Sequence, residues 1–193
     1  MVDLDNIRNF TVPRPDTSTW FLTAREFDAL PETHKDQILF LDKVASDYIY
    51  SFTGPSFNLV SGDLWDPFAK GNFKHVEEFT DFTNHPESWQ HLKKWLYQRG
   101  IPFSTWVFVL PNGIGGPILT TWKMVVRYSR DLFIMDDLMV FDRSLNWCLF
   151  FFHEDRLFFG KDPAGYDTTE DDRRMEALNE RKKKYPQFKH PYL

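Results

Sequence analysis

Cysteine is nearly missing from this chain: Cys148 stands alone among 193 residues. No intramolecular disulfide can form, and such usage fits a reducing compartment. Long apolar runs are missing too. The longest unbroken one, Trp147 to Phe152, falls far short of the roughly 20 residues that span a bilayer as a helix. The opening residues, Met1-Val2-Asp3-Leu4-Asp5-Asn6, are acidic and carry no apolar stretch, so they do not read as a secretion signal. Positive charge is in deficit, with 23 Lys and Arg against 28 Asp and Glu and a net charge of −5. That balance offers no general attraction to nucleic acid or to an anionic membrane. The expectation is a cytoplasmic protein with neither kind of partner. Internal repeats and low-complexity tracts are also lacking.

What the chain has in quantity is aromatic side chains. They make up 18% of it, including 20 Phe and 7 Trp. Each buries a large area, so relatively few are needed to fill the interior of a chain this long. The length fits one domain. An aromatic core is therefore expected. The loop-rich stretch 62–84 is the place where aromatics are hardest to bury, because irregular backbone cannot present them on one regular face. Trp65, Phe68 and Phe73 there are candidates for an exposed partner-binding patch, with Phe79 and Phe82 beside them.

Spacing of apolar residues suggests the elements. Ile38, Leu41, Ala45, Tyr48, Ile49 and Phe52 recur at helical intervals and predict a helix over 33–52, stopped by Thr53-Gly54-Pro55. Phe73 to Phe82 reads as a short helix. Pro86 opens a helix over 86–99 with the stripe Trp89, Leu92, Trp95 and Leu96, closed by Gly100. Ser104 to Leu110 is β-branched and aromatic and predicts a strand. A helix is expected over 118–131. Two strands, 137–142 and 147–153, form a hairpin joined by about four residues, and Leu157 to Phe159 makes a short third strand. The second hairpin strand is apolar on both faces. Trp147, Leu149 and Phe151 point one way, and Cys148, Phe150 and Phe152 the other. Such a strand belongs at the centre of a sheet covered on both sides. The fold class is thus α+β: an antiparallel sheet including 137–142 and 147–153, packed by several helices. Residues 1–162 form that domain. Residues 163–193 form a charged C-terminal helix and tail on its outside, with acids early and Arg181 to Lys184 late, as the helix dipole prefers.

Few constellations could carry chemistry. His153 and Glu154 stand at the end of the hairpin, with Asp136 and Asp137 near them once the strands pair. Imidazole and carboxylates can ligate a divalent metal or exchange protons. Neighbours in a strand face opposite ways, so His153 and Glu154 converge only if the strand has already ended. Cys148 and His153 have odd separation, which places them on opposite faces of one regular strand and argues against a nucleophile–base pair. Gly113-Ile114-Gly115-Gly116-Pro117 lacks the Lys-Ser/Thr of a phosphate loop and the spacing of a dinucleotide fingerprint. It reads as a plain strand-to-helix turn. The basic cluster Arg181 to Lys184 reads as a solvated helix end. No cofactor, no metal and no catalytic residue is assigned.

The segment 118–160 runs through Thr121-Trp122-Lys123-Met124, Asp136-Asp137-Leu138, Asn146-Trp147-Cys148-Leu149 and His153-Glu154. In this it resembles small bacterial families of unknown function, some of which are grouped with immunity proteins against polymorphic toxins. The likeness covers about a fifth of the chain. It implies a cytosolic bacterial protein that acts by binding another protein, and it transfers no catalytic residue. The leading expectation is a non-enzymatic protein-binding module, immunity-like in kind. The alternative is a small metal-dependent or acid–base hydrolase using His153 with the nearby carboxylates.

Overall fold

A computed structural model of the chain describes residues 2–15, 21–51, 59–60, 67–68, 71–80, 87–112, 115–134 and 136–164. Within 173–184 it describes Arg173, Glu176, Ala177, Asn179, Glu180, Lys183 and Lys184. The fold is α+β. Eight described strands form one sheet in which every pairing is antiparallel. The strands are β1 (Thr11–Val12), β2 (Ile38–Leu41), β3 (Phe73–Thr80), β4 (Trp106–Pro111), β5 (Ile118–Thr121), β6 (Leu138–Asp142), β7 (Trp147–Phe152) and β8 (Arg156–Pro163). Their order across the sheet is β1-β2-β5-β4-β6-β7-β8-β3. The helices are α1 (Ala24–Asp28), α2 (Glu32–Lys35), α3 (Lys43–Tyr50), α4 (Ser88–Tyr97), α5 (Trp122–Arg127) and α6 (Ser129–Leu132), after a 3-10 turn at Ile7–Asn9.

Strand β7 lies inside the sheet between β6 and β8 and is buried along its whole length. Its two faces divide as the alternation predicts. Trp147, Leu149 and Phe151 join a core with Leu92 and Leu96 of α4, Trp122 and Val125 of α5, and Leu132 of α6. Cys148, Phe150 and Phe152 join a second core with Ile7, with Ala45 and Ile49 of α3, and with Leu59 and Phe68. The sheet is therefore a middle layer with apolar side chains on both sides. Full burial of each large side chain stabilises the fold by roughly 1.5–3 kcal/mol, and this central position lets all six β7 residues contribute.

Three expected helices differ in the structure. The 33–52 segment divides into α2, β2 and α3. A continuous helix would gather Ile38, Leu41, Ala45 and Ile49 on one stripe but leave Phe40 on the far side. As a strand, β2 buries Ile38 and Phe40 in one core and Leu41 in the other. Asp42 then starts α3 by accepting the Ala45 backbone N–H at 2.8 Å. The 118–131 segment begins with β5 rather than a helical turn. Ile118 and Leu119 face opposite cores, and the hydroxyls of Thr120 and Thr121 donate to Gln37 O and Oε1 at 2.7 and 2.9 Å. The Gly/Pro cluster before it is consequently a strand-to-strand connection between β4 and β5, not a turn into a helix. Residues 73–80 form the strand β3, pairing along β8, because a long β8 offers them a complete hydrogen-bonding partner. The helix over 86–99 appears as α4, and the strand over 104–110 as β4.

In the C-terminal segment, the seven described residues within 173–184 are helical and exposed. The early acids of that helix, with Arg181 and Lys182 of its late basic cluster, lie outside the described residues. Among the described residues, no helix is long and apolar enough to cross a membrane.

Candidate functional site

The hairpin β6–β7 and the turn that follows β7 build the predicted site. Asp142 closes the first turn: its Oδ1 accepts the Ser144 backbone N–H at 2.8 Å, and its Oδ2 accepts the Trp147 indole N–H at 2.9 Å. Asp residues favour such local bonds to following groups. With the turn set, Leu138 pairs with Phe151. Asp137 just before β6 then sits beside the residues just after β7.

β7 ends at Phe152, and His153, Glu154 and Asp155 form the three-residue link to β8. Asp155 adopts a φ of 57°, the left-handed residue that completes a hairpin loop of this length. Because the strand has ended, His153 is released from strict alternation. Asp137 Oδ1 accepts the His153 backbone N–H at 2.9 Å and lies 2.8 Å from its Nδ1. The carboxylate is buried while the imidazole side chain is half exposed. Asp136, itself exposed, accepts the Asp137 backbone N–H at 3.0 Å. The hydrogen bond to Asp137 raises the His153 pKa above its ordinary value. Desolvation opposes that rise, and the negative charges of Asp137, Glu154 and Asp136 add to it.

All four predicted residues therefore lie where β6 begins and β7 ends, and Asp137 touches both His153 and Asp136. An Nδ1–H donated to Asp137 would leave Nε2 as the nitrogen able to take or give a proton. Among the described residues, no three His, Cys, Asp or Glu side chains are placed to hold a metal ion. Cys148 is completely buried, and burial pushes its thiol pKa up. It faces the core shared by Phe150 and Phe152, away from any role with His153.

For two of the patch candidates the structure shows burial rather than exposure. Phe68 and Phe73 are buried, with ring centroids 5.0 Å apart at 79°. Phe73 crosses β8 at Gly160, where a side chain would stand 2.7 Å from its Cγ. The bare backbone of Gly160 lets this ring, at the first residue of β3, enter the core. Phe79 is half-buried and packs against Trp95 at 5.4 Å. Trp65 and Phe82 lie outside the described residues.

One feature had no signal in the sequence. A cavity of about 510 Å³ opens at the other end of β6, lined by residues that include Ile7, Arg8, Trp106, Asp142 and Arg143. The Arg8 guanidinium lies 4.0 Å over the Trp106 ring, and Arg143 pairs with Asp5 at 3.1 Å. These residues come from three distant segments, so only pairing of the strands brings them together. No family model, curated protein or solved structure matches this chain.

Proposed function

We propose that this chain is a non-enzymatic protein-binding module, an immunity-like protein of the bacterial cytosol, and that it engages its partner through the open edge strand β3. The observation that carries this reading is the contrast between the two sheet edges. β1 is two residues long, whereas β3 runs for eight. Lys74 to Glu78 are all exposed. Among the described residues β3 pairs with β8 alone. The exposed stretch Lys74 to Glu78 at a sheet edge offers a row of backbone donors and acceptors to an extended segment of another protein.

The test is affinity capture from host cytosol with the wild-type chain, Val76→Lys on the exposed edge, and His153→Ala at the hairpin end. The expected result is a partner retained by the wild type and by His153→Ala and lost with Val76→Lys. Equal capture by all three, or none by the wild type, overturns the reading.

A second reading rests on the Asp137–His153 contact. An imidazole oriented by a buried carboxylate, with Nε2 free for proton transfer, suits an acid–base hydrolase. The metal-dependent form lacks a third ligand among the described residues. Turnover of ester, peptide or phosphate substrates that vanishes in His153→Ala would favour this enzyme over the binding module.

A further inference from the structure

We propose that the partner fitted by β3 is a second copy of this chain, joined by antiparallel β3–β3 pairing across a two-fold axis at Val76. The inference rests on the reading of β3 as a binding edge and names its occupant.

Charge order along the strand carries it. β3 reads Phe73-Lys74-His75-Val76-Glu77-Glu78-Phe79-Thr80. Charged edges ordinarily discourage strand addition. Here the basic pair precedes Val76 and the acidic pair follows it. Antiparallel pairing about Val76 sets Lys74 against Glu78 and His75 against Glu77, and the two-fold axis repeats both pairs. Val76 meets Val76. Opposite charges directly across a strand pair attract, and like charges repel. Moving the axis by one residue, to Glu77, sets Glu77 against itself and Val76 against Glu78. The register at Val76 is the one that sets both Lys74 and His75 against a carboxylate.

The side chains are placed to take part. Val76 is 47% exposed. The side chains of His75 and Glu77 are 63% and 52% exposed. Glu77 and Glu78 are held from behind by Arg99 and Arg156, with contacts of 2.6 Å each. Those arginines fix the carboxylates on the strand and leave each with capacity to accept a further bond. A two-fold contact of this kind is self-complementary, the arrangement favoured in symmetric dimers. It would join two eight-stranded sheets into one.

Light scattering after size exclusion on the full chain tests the pairing. The wild type is expected to dimerise, with a mass twice that of the 23.0 kDa chain. Lys74→Glu alone sets like charges across the axis twice, as does Glu78→Lys alone. Each is expected to weaken dimerisation about tenfold or more. Mixed together, the two variants restore every opposite-charge pair and should form a heterodimer. Circular dichroism and an unchanged unfolding midpoint establish that each variant is folded. A wild type that is monomeric at 100-fold the concentration used for capture overturns the self-pairing, while the capture experiment decides separately whether the edge binds anything. A dimer indifferent to both substitutions, or a mixture that stays monomeric, also overturns it.

Discussion

Asp137 holds His153 twice through a single oxygen. Oδ1 accepts the backbone N–H at 2.9 Å and faces Nδ1 at 2.8 Å. The buried carboxylate thereby ties the start of β6 to the end of β7 and orients an imidazole whose other edge meets solvent.

The protonated form of His153 is favoured in the folded protein, mainly by its hydrogen bond to Asp137. Its contribution to stability is accordingly complete below the ordinary histidine value of 6.5. It is lost as pH rises through the higher folded value. An NMR titration of the His153 ring should give a pKa above 6.5, and Asp137→Asn should return it toward 6.5. An unchanged value in Asp137→Asn would show that the contact does not set the titration.

Gly160 has no room for a side chain, because Phe73 covers it. Gly160→Ala should destabilise the protein by about 1–3 kcal/mol as the ring is forced aside. Phe73→Ala removes the obstruction at its own cost. Denaturant unfolding of both single variants and the double variant should therefore show strong non-additivity. Additive losses would mean the two residues do not meet in solution.

Arg99 binds three elements at once. Its side chain is 5% exposed, its Nε donates to Trp95 O at 3.0 Å, and its guanidinium lies 4.2 Å over the Trp95 ring and 5.3 Å from that of Phe159. Its Nη1 meets Glu77 as a close ion pair rather than an aligned hydrogen bond. Arg99→Lys keeps the charge but loses the stacked plane and the fork. It should lower stability by about 1–3 kcal/mol, since buried groups would lose their partners. Thermal unfolding reads the loss, and a change below the error of the melt would contradict the clamp.

Cys148 is the chain's one thiol and is fully buried, which raises its pKa. A thiol kept neutral and covered reacts slowly. A chromogenic disulfide reagent should label it only as the fold opens, so labelling in native buffer should match the global unfolding rate. Rapid native labelling would show that the second core, which holds Cys148, opens locally.

Much of this architecture was legible because alternation is a strong local signal. Six consecutive apolar residues from Trp147 can only be satisfied by two covered faces, and β7 has them. Burial in the second core, rather than strand parity, keeps Cys148 from His153, which lies past the end of β7. The α4 stripe was equally plain. Ile38 to Leu41 and Ile118 to Thr121 were not, since short apolar runs satisfy a helical or a strand period almost equally well. Their state follows from pairing: β2 and β5 hydrogen-bond to each other, and neither partner is visible in the other's local sequence. Phe68 sits in a turn and Phe73 at the first residue of β3, and the burial of Phe73 needed the gap at Gly160.

Residue order alone carried the aromatic core, the two-faced central strand, the α+β class and the nearness of His153 to Asp137, because each follows from period, turn chemistry or short hairpin reach. Long-range pairing settled the rest. It joined β3 to β8 across more than 75 residues, placed β3 last in the sheet among the described residues, and turned Asp137 rather than Asp136 toward the imidazole. Those outcomes depend on which surfaces meet, and local preferences of a few tenths of a kcal/mol per residue yield to the burial of whole aromatic side chains.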